Sequence, residues 1–508
     1  MISTYNSQLP KDLQLEQDKI EKIAADYGLD FFTTIFEMVD YDQMSQLAAY
    51  GGFPTRYPHW SFGMQYEKLS RGYEYGLSKI YEMVINTDPC YAYLMKGNEH
   101  VDQKLVMAHV YGHCDFFKNN KWFEPTDRKM MDTMANHATR IRNYMDRYGQ
   151  EKVEAFIDKC LSIENLIDRF SPYVKRATPE ELAEEKKHAE AIKNDRFYMQ
   201  EYMEKSHDVR RGATVESDDR AGELPKFPTR PERDVLLFLI NYAQLENWQQ
   251  DVLSIIRSES YYFSPQGMTK VMNEGWASYW HSRLMTEKIL DDSELITFAD
   301  HHSGTVAMDP MGFNPYKVGI ELMRDIEDRW NKGRFGKDWD ECDSFDDKKN
   351  WDKKTGLGRQ KIFEVRRDYN DVTFIDEFLT EDFCVRNKMF VYNYDKRTKK
   401  YFLDTRNFPM VKQKLLFQLT NHGQPIIEVE NGNFRNKGEL LLKHLHEGVD
   451  MQPNYMEETL KNVAYIWGRP VNIHTEMDEA EFIFRWDGKE FTKEKLTEPT
   501  GESPSQTA

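Results

Sequence analysis

Cysteine is scarce and unpaired in this chain: Cys90, Cys114, Cys160, Cys342 and Cys384 are scattered through 508 residues. No two stand at the close spacing of a disulfide framework or a cysteine-based zinc module, which suits a reducing compartment. Long apolar runs are missing too. Nothing approaches the ~18 uninterrupted apolar residues of a membrane span, and residues 1–19 lack the basic stretch followed by an apolar core that directs export. Positive charge is in deficit: 68 Lys and Arg against 86 Asp and Glu leave a net charge of −18, which argues against broad electrostatic binding to nucleic acid or an anionic membrane. A cytoplasmic protein with no membrane span and no nucleic-acid partner is expected. At roughly 100–200 residues per domain, its length predicts two or three domains.

What the chain does have is a pair of apolar segments that carry metal-binding chemistry. Leu105 to Phe117 reads as a buried helix with His109 and His113 four residues apart, on one face and about 6 Å from each other. Val271 to His281 reads as a second apolar helix holding one carboxylate, Glu274, which needs a cation, a metal or a strong donor if buried. Two imidazoles on one helix and a carboxylate on another form the two-nitrogen, one-oxygen set that leaves a fourth zinc position open. Two hydrogen-bonded core histidines are the plainer alternative. His281 shares the face of Glu274 but lies about 10 Å further along the axis, so it suits a partner or proton shuttle better than a ligand. Further catalytic candidates are Glu37, read as an acid in an apolar helix, and Arg56 and His59. The last two come from the Pro- and Gly-rich loop Tyr50–Trp60, where a guanidinium beside aromatic rings suits an anionic group. Asp115 should point away from the ligand face, His137 reads as a core residue, and His301 and His302 fall in an expected loop. Glu259 is one of several acids on the helix that follows Val235.

The pattern Asn273-Glu274-Gly275-x-Ala277-x-Tyr279 resembles the helix that brings the third zinc ligand in gluzincin aminopeptidases, and Met107 to His113 resembles their first helix. Those enzymes place a general-base Glu directly after the first His; here that residue is Val110, which cannot accept a proton. A longer resemblance runs through Tyr41-Asp42-Gln43-Met44, Ala48 to Trp60, Tyr75 to Glu82, Ala108 to Asn120 and Asn273 to His281. These stretches resemble the stage V sporulation protein R (SpoVR) family. The resemblance implies a cytoplasmic bacterial protein linked to spore cortex formation, or to stationary-phase and stress responses alongside a serine protein kinase and a companion stress protein.

The fold class expected is a mostly α N-terminal domain with a zincin-like two-helix metal site, plus a small α+β C-terminal domain. Residues 1–173 and 235–355 form the helical core in two parts, 174–234 a charged, Pro-interrupted insertion or linker, 356–498 the α+β domain and 499–508 a disordered tail. The stretch 67–93 is read as helical up to Asp88-Pro89. In the C-terminal domain strands are expected near 389–394, 425–429, 471–474 and 481–486, with helices near 410–419, 438–446 and 456–465. Two functions stay open. One is a zinc hydrolase acting on a peptide, amide or cell-wall-related substrate, with His109, His113 and Glu274 as ligands and a base other than residue 110. The other is a regulatory or scaffolding protein. A carboxylate-bridged di-iron site is not expected: it needs several Glu ligands with Glu-x-x-His spacing on a bundle, and neither of the two apolar helices carries such a pair.

Overall fold

The computed structural model describes residues 9–74, 80–174, 227–228, 230–305, 313–395 and 397–496. Most of the insertion expected at 174–234 and all of the tail at 499–508 lie outside them. The elements of the N-terminal region are α1 (Lys11–Asp26), β1 (Thr34–Val39), α2 (Tyr41–Ala49), α3 (Trp60–Glu74), β2 (Glu82–Ile85), β3 (Cys90–Met95), α4 (His100–Asn119), α5 (Met130–Tyr148) and α6 (Gln150–Leu161). After the insertion come α7 (Val235–Tyr242), α8 (Asn247–Met268), α9 (Lys270–Leu284), α10 (Leu295–Thr305), α11 (Pro315–Lys332), α12 (Gly358–Asp368) and α13 (Asp371–Phe378). The region is mostly helical, with one three-stranded sheet in the order β1-β3-β2. Among the described residues no helix is long and apolar enough to cross a membrane, and all five cysteines are free.

That sheet corrects two readings. Glu37 sits on a strand, not in a helix, and Glu82–Ile85 forms a strand where the end of a helix was expected, with a further strand at Cys90–Met95. These are short apolar runs whose successive side chains enter opposite cores, and their backbone groups are satisfied by pairing: β1 runs parallel to β3, and β2 antiparallel to it. One face of the sheet (Phe36, Met38, Ala92, Leu94) packs into the core that contains α4, while the other (Val39, Ile85, Tyr93, Met95) joins a separate core with Met44, Phe53 and Tyr262.

Helix α9 runs between α4 and α11, and glycines set how close the three come. A Cβ on Gly112 of α4 would stand 2.7 Å from the Cα of Ala277; one on Gly275 would stand 2.5 Å from the backbone of Gly319 on α11. Gly319 itself faces the carbonyl oxygen of Val271, 2.2 Å from where its Cβ would be. The backbones therefore touch, and side chains flanking the glycines are pressed into one another.

The C-terminal part carries a two-stranded ribbon, β4 (Val391–Asp395) and β5 (Lys400–Thr405), then α14 (Phe408–Leu419), β6 (Ile426–Phe434), β7 (Glu439–Leu445), α15 (Pro453–Trp467), β8 (Val471–Met477), β9 (Ala480–Trp486) and β10 (Phe491–Lys495). The last five strands form one sheet in the order β10-β9-β8-β7-β6. Residues 439–445 form a strand where a helix was expected: Leu440 to Leu442 pair parallel to Val471 to Ile473 and are buried on the central part of the sheet. His301 and His302 stand on helix α10, not in a loop.

Gly319→Ala forces α9 and α11 apart. The expected cost is about 2–3 kcal/mol, the scale of an overpacked core, read as a lowered urea midpoint at unchanged slope. An unchanged midpoint would show that the helix contact yields freely.

Candidate functional site

Two anchors fix α9 against its neighbours. The buried carboxylate of Asp371, at the start of α13, accepts the backbone N–H groups of Val271 and Met272 at 2.8 and 2.9 Å, satisfying the first turn of α9. On α4, the fully buried Asp115 accepts the Trp276 indole N–H at 2.8 Å and the Asp30 amide at 2.8 Å, with Arg366 3.6 Å away. Asp115 does point away from the histidine face, and there it ties α4 to α9.

With the helices so held, three side chains converge. His109 Nε2 and His113 Nε2 are 3.0 Å apart, and Glu274 Oε2 lies 3.6 and 3.5 Å from them. These atoms all fall within 4.8 Å of one another, the one such cluster of three among the described residues. Glu274 Oε2 is buried without a hydrogen-bond partner. The outer nitrogens are engaged: Asn273 Oδ1 accepts from His113 Nδ1 at 2.9 Å, which directs the lone pair of His113 Nε2 toward Glu274. His109 Nδ1 meets His281 Nδ1 at 2.8 Å, and His281 Nε2 meets His302 Nδ1 at 3.0 Å. His281 is thus a partner of His109, as its seven-residue offset from Glu274 suggests, and the imidazoles form a chain leading out along α10.

The electrostatics follow from this crowding. Burial pulls the His113 imidazole down to about 4, helped by the His109 charge. Burial also opposes charge on His109, but Glu274 and Glu82 more than offset it, so that imidazole is raised. Burial opposes charge on Glu274 too; the two histidines overcome it and hold the carboxyl below its usual range.

Two residues not foreseen complete the site. Tyr316, at the first turn of α11, stacks on the His109 ring with centroids 6.3 Å apart, and its hydroxyl acts on Glu274, helping to hold that carboxyl low. Glu82 on β2 is in register with Leu94, so its side chain takes the sheet face that packs on α4. Burial raises its carboxyl, and His109 and Glu274 both act on it. Glu82 closes the Tyr75-to-Glu82 stretch and could have been noticed there; no spacing rule points to Tyr316.

The other candidates lie elsewhere. Glu37 is in register with Tyr93, on the face opposite α4, because adjacent strand residues point to opposite sides. Arg56 is taken up by Glu259 at 2.6 Å, which also binds His137 Nδ1 at 3.0 Å, all three buried. His59 pairs with Asp158 at 3.1 Å and Ser61 at 2.6 Å. The loop 50–60 folds back and packs, and Glu259 is committed to that packing. Val110 is fully buried in the core.

A family model described as SpoVR like protein matches residues 7–424, and one described as SpoVR-like C-terminal domain matches 425–478. The chain is 29% identical over 492 residues to the uncharacterized protein YcgB of Escherichia coli (strain K12), an alignment spanning 91% of each chain. No solved structure matches it.

Burial pushes the Asp371 carboxyl up to about 7, against the lowering effect of the two amides it caps. An acid raised in the folded state contributes stability that is full below its unfolded value of about 3.9 and is lost as pH rises through the folded one. The stability difference between the native chain and Asp371→Asn should therefore shrink from pH 4 to pH 7 in urea titrations. A difference that stays level across that window would place the proton elsewhere.

Proposed function

The chain belongs to the SpoVR family, and on that footing we propose that it is a divalent-metal hydrolase whose ion, zinc by the donor set, is held by His109, His113 and Glu274. The observation that carries this reading is the meeting of two imidazole nitrogens and an unpartnered carboxylate oxygen at one buried point. A divalent cation at that point would be held by all three atoms together and would balance the buried carboxylate. Their separations of 3.0, 3.5 and 3.6 Å fit the edge of about 3.3–3.4 Å of a tetrahedron with bonds of roughly 2.0–2.1 Å. A bound divalent ion supplies Lewis acidity and a water of lowered pKa.

The protein's own groups divide the remaining work. Val110 has no proton-accepting atom, so the base comes from another element; Glu82 fits, being a carboxyl raised by burial on the face that meets His109 and Glu274. Tyr316, stacked on His109, brings a hydroxyl donor to the Glu274 carboxylate. Asn273 fixes the His113 tautomer, and His281 with His302 forms a path for a proton from His109 Nδ1 along α10. By motif the bond cleaved is a peptide, amide or cell-wall-related one; by family the setting is the cytoplasm, in the service of spore cortex formation or a stationary-phase stress response. A second reading is a regulatory protein working with a serine protein kinase and a companion stress protein. It is favoured by Val110, the residue that replaces the gluzincin base and lies in the apolar core.

Metal analysis of native protein should return about one equivalent of zinc, lost in a His109→Ala, His113→Ala double variant whose circular dichroism is unchanged. No metal in the native protein would sink both the site and the hydrolase. On a panel of peptide and amide substrates, Glu82→Gln should keep the metal and lose turnover by about 10²-fold or more. Metal without any turnover in the native chain would leave the regulatory reading standing.

A further inference from the structure

A second cavity, of about 200 Å³, lies where α13, the loop after α6 and the first strand of the C-terminal sheet meet. None of the histidine-site residues lines it. Its walls are mainly apolar, with Leu166, Ile167, Val372 and Ile427 among them. Arg169, Arg233 and Trp122 line it too, beside neutral polar residues such as Asn165 and Thr373. Trp122 Nε1 is buried and has no hydrogen-bond partner. Among the described residues neither arginine enters an ion pair or a side-chain hydrogen bond; burial lowers Arg169, whose charge acts on His422, while Arg233 acts on one acid outside the wall, Glu428.

The imbalance is the signal. Acids outnumber bases in the chain, 86 to 68, yet no carboxylate stands in this wall. A half-buried guanidinium without a counter-ion carries a desolvation cost that an anion would offset. Elsewhere in the molecule comparable arginines are neutralised: Arg56 by Glu259 and Arg257 by Asp234, each at 2.6 Å. Two paired forks are the arrangement proteins use for carboxylate and phosphate. The space is somewhat larger than the ~150 Å³ cavity known to take benzene.

We propose that this cavity binds a small organic anion, with an oxyanion head received by Arg169, Arg233 and the Trp122 N–H and an apolar body of about one ring held against Ile167 and Ile427. The donors suit a carboxylate or a phosphate monoester alike. Arg169 also lines the two neighbouring cavities, so the head lies at the end where the three adjoin.

The test is calorimetric titration of the full chain with phenylacetate, phenyl phosphate and the neutral phenylacetamide. At least one anion should bind saturably with Kd below about 1 mM, and the amide at least tenfold more weakly; which anion binds names the head group. Arg169→Gln and Arg233→Gln should each weaken it tenfold or more, Arg169→Lys less, and the His109→Ala, His113→Ala variant not at all. A rise in Tm of the native chain with the anion and not with the amide gives the same answer without any variant. Absence of saturable anion binding, equal affinity for the amide, or affinity unchanged in both glutamine variants would overturn the proposal.

Discussion

The site depends on backbone contact between helices α4, α9 and α11, made through Gly112, Gly275 and Gly319. An ordinary interhelical distance of about 8–10 Å would leave room for side chains between the axes, and Glu274 would reach a neighbour with its tip only. With glycine at the crossings, the carboxylate enters the angle between His109 and His113. Asp371 holds the end of α9, and Asp115 with Trp276 holds its middle. Rigid elements carry the donor atoms, and polar groups behind them fix the tautomers.

Charge is distributed in the same economical way. The buried acids of the N-terminal region serve as anchors: Asp115, Asp234, Glu259 and Asp371 each meet arginines, imidazoles or helix amides. Against that background the unmatched groups stand out. An orphaned Glu274 oxygen among imidazoles calls for a cation, and an unpaired Arg169 beside an orphaned Trp122 N–H in a mainly apolar cavity calls for an anion. The two features are physically alike, since in each case burial has been completed without the partner that makes it favourable.

Reading the chain alone succeeded where the signal is local. Four-residue spacing in an apolar helix put His109 and His113 side by side, and a lone carboxylate in an apolar helix marked Glu274 as needing a partner. It failed for Glu37 and for residues 82–85, where short apolar runs fit a helix face and a buried strand equally well. It failed again at 439–445, where three leucines in a row look helical and the parallel neighbour β8 makes them a strand.

The sequence by itself determined the candidate side chains, the spacing of the two imidazoles along one helix, a valine at residue 110 and membership in a family. Each is a property of residues a few positions apart or of the whole string. Only the tertiary structure decided which acid faces the histidines, because sheet register assigns Glu82 to the α4 side and Glu37 to the other. Only it revealed Tyr316, His302 and the Arg169 cavity, whose members lie far apart in the chain and meet only after folding. Spacing carries information over a helical turn; contacts between distant elements are set by packing, which no local pattern encodes.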